Sequence, residues 1–243
     1  MTTESPNRLT TALTLAVAMT LPTALAWIYF VVLGGSGKPN MIQQSAYASG
    51  KVFQFASPIL FFAFAVRRFP VFRRPNTEGL LLGVGFGLLV GAVVIAGYYG
   101  GLHSSSMLAQ SPARIRKKLD EFGVTSPMEF LTLALFIAVI HSFLEEYYWR
   151  WFVFGRLCTL MPVWAAIALS SLGFMAHHVI VVHAYVPDRF WTAVTPASLC
   201  VAAGGAVWAW LYHKARSILA PWVSHALIDI SLFVVGWDLM QRA

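Results

Sequence analysis

Residues 143–154 set two adjacent carboxylates, Glu145 and Glu146, and the guanidinium of Arg150 among seven aromatic residues. They close an apolar run that begins near Met128. Ionisable groups in such a run are costly in a membrane and are functional candidates whose partners must be found. Glu146 and Arg150 are four apart, so on a helix they share a face and can pair. Glu145 lies about 100° further round, available to another partner. The spacing makes Glu146 the structural carboxylate and Glu145 the chemical one.

Two later apolar runs carry matching polar residues. One contains Phe174, His177 and His178; the other holds His225 and Asp229 at i and i+4. A lone histidine in such a run is commonly a hydrogen-bonded core residue, and a polar network can simply lock helices together. Converging on one buried point, however, Glu145, His178, His225 and Asp229 suit amide hydrolysis. In one chemistry Glu145 is a general base toward a water also held by His178, while His225 and the group at 229 stabilise an oxyanion. In the other, Glu145, His178 and His225, with Asp229 as a fourth donor, bind zinc, which activates the water. The residues alone leave both open. His141, four before Glu145, reads as structural, His177 as packing or support, and His183 and His213 as interface residues.

The elements that position these groups follow from composition. Of 243 residues 58% are hydrophobic and 11% charged, and mean hydropathy is +0.68. A soluble domain carries about 25% charged residues, which excludes that class. The expected fold is all-α: a polytopic integral membrane helical bundle of about seven transmembrane helices plus a short interfacial amphipathic helix. The predicted spans are 9–33, 52–66 with part of 46–50, 79–99, 128–149 continuing as helix to 156, 163–182, 190–211 and 218–239. The first is too long for a signal-peptide core, and Pro22 is a candidate kink. Gly79, Gly83, Gly87 and Gly91 form one smooth helix face for close packing. In 104–126, Ile115, Leu119 and Phe122 oppose Arg114, Arg116, Lys117 and Lys118, as in a helix lying at the interface. Cys158 and Cys200 read as packing residues. On these spans His178 lies deeper than Glu145 and His225, so a boundary must shift or the cavity must reach the midplane.

The net charge of +7 falls mainly between apolar runs, a pattern for topology and contact with the lipid bilayer, with no nucleic acid partner. Apart from the interfacial helix, Arg8, Arg67, Arg68, Arg73, Arg74, Arg150, Arg156, Lys214 and Arg216 oppose Lys38, Lys51, Arg189 and Arg242, which favours an N-terminus inside.

Glu145-Glu146-x-x-x-Arg150, Phe174-x-x-x-His178 and His225-x-x-x-Asp229, in that order on apolar helices, resemble the signature motifs of the CPBP family. These are the CAAX-protease and bacteriocin-processing intramembrane proteases, related to the type 2 CAAX prenyl endopeptidase. Ser170-Ser171 and Ala220-Pro221 add to the likeness. The resemblance divides the chain into an N-terminal membrane region, 1–126, and a catalytic helical core, 127–243. It implies an intramembrane endopeptidase of glutamate type, with no cofactor and zinc as the alternative. Glu145 and His178 would activate water, His225 and residue 229 would form the oxyanion hole, and Glu146, Arg150 and Phe174 would support them. The implied partner is a membrane-embedded or lipid-associated peptide or protein, in a bacterial-type inner membrane. Two features depart from the pattern. Asp229 stands where the CAAX endopeptidases have Asn, and an ionised aspartate cannot donate to an oxyanion. Tyr147, Tyr148 and Trp149 replace small or apolar residues, which predicts a different pocket shape. The rival readings are a non-enzymatic membrane immunity, chaperone or regulatory protein, and a transporter; no inverted repeat supports the latter.

Overall fold

The computed structural model describes residues 7–33, 41–67, 73, 74, 76–105, 108, 109 and 111–242. Lys38 and Arg68, two of the charges that bear on orientation, lie outside them. The elements are α1 Arg8–Val32, α2 Gln43–Val66, α3 Thr77–Gly100, α4 Ser111–Glu121, α5 Pro127–Leu157, α6 Val163–Tyr185, α7 Pro187–Ala215 and α8 Leu219–Gln241. All but α4 are long and apolar enough to cross a membrane. The protein is a polytopic helical bundle.

Local signals set the helix starts. The Asn7 side chain accepts from the Leu9 amide at 2.7 Å and the Asn76 side chain from the Gly79 amide at 2.7 Å, each satisfying an otherwise orphaned N–H. Ser126 and Glu129 form a reciprocal capping box with Pro127 at the first turn of α5. Pro162 precedes α6, and Pro187 and Pro221 sit in the first turns of α7 and α8. The exterior is apolar: Leu9, Val17, Phe64, Leu89, Leu135 and Leu232 are exposed, as a lipid-facing surface requires. Trp164 and Trp191 are exposed near the starts of α6 and α7, the level of an interfacial aromatic belt.

The glycine face of α3 lies against α8, where the packing is tightest. A Cβ at Gly83 would come 2.3 Å from the Ala220 carbonyl oxygen, and one at Gly87 2.9 Å from that of Ser224. At Gly91 the nearest atom would be Ser231 Cβ at 3.4 Å, an ordinary contact. Gly83→Ala is therefore expected to cost about 1–3 kcal/mol through forced backbone separation. Gly91→Ala is expected to be neutral or slightly stabilising, since alanine is the better helix former. Thermal unfolding of the two variants in detergent checks the contrast.

α4 is amphipathic, as its pattern requires, but its cations are partly engaged with protein. Leu119 packs with Val124, Phe130, Ala134 and Met240. Arg114 pairs with Asp188 at 2.7 Å and Lys118 with Glu121 at 2.6 Å, with Lys118 also over the rings of Tyr29 and Phe30.

α5 continues as helix to Leu157, as its sequence predicts. Two expectations need correction. Arg150 is 2% exposed within that helix, and Lys51 is half-buried within α2, so neither is a loop charge that sets orientation. Apolar windows missed this because a few polar residues lower their mean, while the ends are set by caps.

Candidate active site

Both glutamates lie on α5 in the regular segment Ser142–Glu146, between two stretches of wider i→i+5 turns, Phe136–His141 and Tyr147–Phe154. Such widened turns recur at functional sites, because they re-aim the side chains around them. Beyond the glutamates the aromatic run is packing. Tyr148, Trp149, Phe152, Val153 and Phe154 are at most 1% exposed. The Tyr148 hydroxyl donates to the Ala18 carbonyl of α1 at 2.7 Å, and Tyr147 stacks on Trp151 at 5.1 Å. These rings wedge α5 among α1, α2 and α6.

Glu146 and Arg150 pair as their spacing predicts, with Arg150 Nε 3.1 Å from Glu146 Oε2. The guanidinium lies over the ring of Phe174 at 4.5 Å and that of Trp208 at 5.1 Å, and donates to the Gly205 carbonyl at 3.5 Å. Cation–π contact and a carboxylate together offset the cost of burying this charge. The other oxygen of Glu146 reaches further than the spacing showed. Its Oε1 is 2.8 Å from His225 Nδ1, so Glu146 ties α8 to α5. A carboxylate can only accept, which places a proton on His225 Nδ1 and turns Nε2 inward. The imidazole also stacks on Trp208 at 4.1 Å and 16°, while the Trp208 indole donates to Ser224 Oγ at 3.0 Å.

Glu145, 5% exposed, faces a ring of imidazoles. His141 Nε2 is 3.3 Å and His177 Nε2 3.5 Å from Oε1, and His225 Nε2 is 3.8 Å from Oε2. Asp229 Oδ1 approaches the same His225 nitrogen at 3.7 Å. His178 Nδ1 is 2.9 Å from the Phe174 carbonyl. Because a carbonyl only accepts, the proton is on Nδ1 and Nε2 carries a free lone pair.

The structure thus brings Glu145, Glu146, Arg150, Phe174, His178, His225 and Asp229 to one centre. It adds His177 and His141, which their sequence positions had marked as support or structure. For His141 the signal was its i−4 spacing from Glu145. For His177 the 100° offset from His178 was misleading, because the two residues straddle the face of α6 that meets α5. Their rings lie 4.1 Å apart, and His177 stacks parallel to Trp149 at 6.0 Å.

Among the described residues, Glu145, His177 and His178 have ligand atoms within 4.8 Å of one another. Two imidazoles and a carboxylate are a donor set suited to zinc. His178 already has the carbonyl partner on its second nitrogen that orients ligating histidines. The residues present fit such an ion, with His177 in the place that the sequence analysis assigned to His225.

An integral membrane helical bundle with a buried carboxylate–imidazole centre is the class that this fold and centre define. Residues 127–231 match the family model described as Type II CAAX prenyl endopeptidase Rce1-like. That segment, from the first residue of α5 to just beyond Asp229, is similar to the Rce1-like family, and the similarity supports a membrane peptide hydrolase of the CAAX type. Neither the curated proteins nor the solved structures contain a match to the chain.

Proposed function

We propose that the protein is an intramembrane endopeptidase that hydrolyses a peptide bond of a membrane-associated peptide or protein by glutamate-activated water. The single observation that carries this reading is the convergence of Glu145 with His178 and His225 in a buried centre. A water between Glu145 and the free Nε2 of His178 gives a proton to the Glu145 carboxylate. Its oxygen then bonds to the carbonyl carbon of the scissile amide. The oxyanion that forms accepts a hydrogen bond from Nε2–H of a His225 protonated on both nitrogens and held at Nδ1 by Glu146. As the C–N bond breaks, the proton held on Glu145 passes to the leaving amine, which leaves one carboxylate product and one amine product. Asp229 beside His225 Nε2 orients that ring and favours its charged form by proximity, a role an ionised aspartate can fill where oxyanion donation is closed to it.

The same centre also fits zinc. Glu145, His177 and His178 would hold the ion, which would supply a polarised, more acidic water. Metal analysis and chelation separate the two versions. For the glutamate version, purified protein cleaves peptides from a membrane-peptide panel at an unchanged rate after treatment with a strong chelator, and carries less than stoichiometric zinc. Activity that falls with the metal and returns with added zinc moves Glu145, His177 and His178 into a ligand set. Should cleavage persist at the wild-type level in a Glu145→Ala chain, the protease assignment at this centre is wrong, and a non-enzymatic membrane role takes its place.

A further inference from the structure

Lys51 stands apart from the motifs, yet it lies more than two turns inside α2. Its ammonium is 5.7 Å from the centroid of Tyr47 and 5.6 Å from that of Phe55, the rings one turn before and one turn after it. It is therefore level with its own turn and does not reach along the helix to the interface, as a snorkelling lysine would. Among the described residues the lysine ion pairs are Lys118–Glu121 and Lys214–Glu78, and Lys51 belongs to neither. A cation at this depth without a contacting carboxylate is a functional candidate by default.

Its surroundings point to the reaction centre. The Phe55 ring also packs edge-to-face with His141 at 6.0 Å, and His141 Nε2 lies 3.3 Å from Glu145 Oε1. Lys51 thus sits one aromatic ring away from the centre, within electrostatic reach of Glu145 and His177. One turn further along α2, Gln54 is 1% exposed and its Oε1 has no hydrogen-bond partner. A buried acceptor left open, three residues along the same helix from a cation without a carboxylate partner, is costly unless another molecule completes it.

We propose that Lys51 is a specificity-determining residue, binding a carboxylate of the substrate close to the scissile bond, with Gln54 accepting from a neighbouring substrate N–H. The carboxylate is either an acidic side chain or a free C-terminus; both present the same two oxygens to an ammonium. The two rings hold the cation in place without neutralising it, which leaves its charge for the substrate. This inference rests on the protease reading above.

The test uses the full chain in lipid nanodiscs and two matched sets of hydrophobic peptides. One set ends in a free carboxylate or an amide; the other carries Glu or Gln beside the cleaved bond. Wild type is expected to favour the carboxylate member of one set by about tenfold, mainly through KM. Lys51→Met removes that preference, and Lys51→Arg keeps most of it. The set that responds identifies the source of the carboxylate. Equal loss on both members in Lys51→Met would show that Lys51 acts only on Glu145, and would overturn the assignment, as would a wild type without preference in either set. Binding of the same peptides to a Glu145→Gln chain reads the preference without turnover. Absence of cleavage by the wild type therefore counts against the protease reading, whereas equal binding of both members counts against Lys51.

Discussion

Glu145→Gln is expected to lower turnover about 10²–10⁴-fold, the usual contribution of a positioned general base. Glutamine preserves the shape and can still accept from His141 and His177, but it cannot take a proton from water. Folding is expected to be kept, because the ion pair that anchors the bundle runs through Glu146 and not through Glu145. The diagnostic result is a lost kcat beside an unfolding temperature that stays within a few degrees of wild type. A His178→Ala chain is expected to fall on the same side, since the lone pair at Nε2 disappears with the ring. Should Glu145→Gln fail to fold, Glu145→Asp, which keeps the charge and withdraws the carboxylate from its partners, separates position from stability.

The largest stability effect is expected at Arg150. Arg150→Met leaves the Glu146 carboxylate, 0% exposed, in the helix core without its cation. Breaking a buried pair from one side costs about 3–5 kcal/mol, a fall in unfolding temperature on the order of 10 °C for a chain of this size. The double variant Glu146→Leu/Arg150→Met removes both charges, and replacing both members of a buried pair with apolar residues is often close to neutral. It is expected to recover much of the stability but not the activity, because His225 then has no acceptor at Nδ1. Thermal unfolding and peptidase rates on wild type, Arg150→Met and the double variant check both halves. Full recovery of activity in the double variant would remove Glu146 from the positioning of His225.

These two expectations separate what spacing reveals from what packing reveals. The pairing of Glu146 with Arg150 was legible because i and i+4 on a helix are neighbours whatever surrounds them. The seven apolar spans and the glycine face of α3 were legible for the same reason, since each is a local consequence of residue type and period. The second role of Glu146, its bond to His225 across to α8, is 79 residues away in the chain, and no period encodes it.

By itself the sequence determined an all-helical membrane bundle, the three motif helices and the i, i+4 pairing of Glu146 with Arg150. Composition and short-range periodicity suffice for those. Only the tertiary structure decided which nitrogen of which histidine meets Glu145, that His141 and His177 join the centre, and that Lys51 stands one ring away from it. The reason is geometric. A helix period gives the direction of a side chain about its own axis, but the rotation, offset and depth of one helix against another arise from interlocking surfaces. Here those surfaces are the Gly83 contact with Ala220 and the wedge of Tyr148, Trp149 and Phe152. A shift of one residue in either would carry each imidazole around its helix and away from the carboxylate.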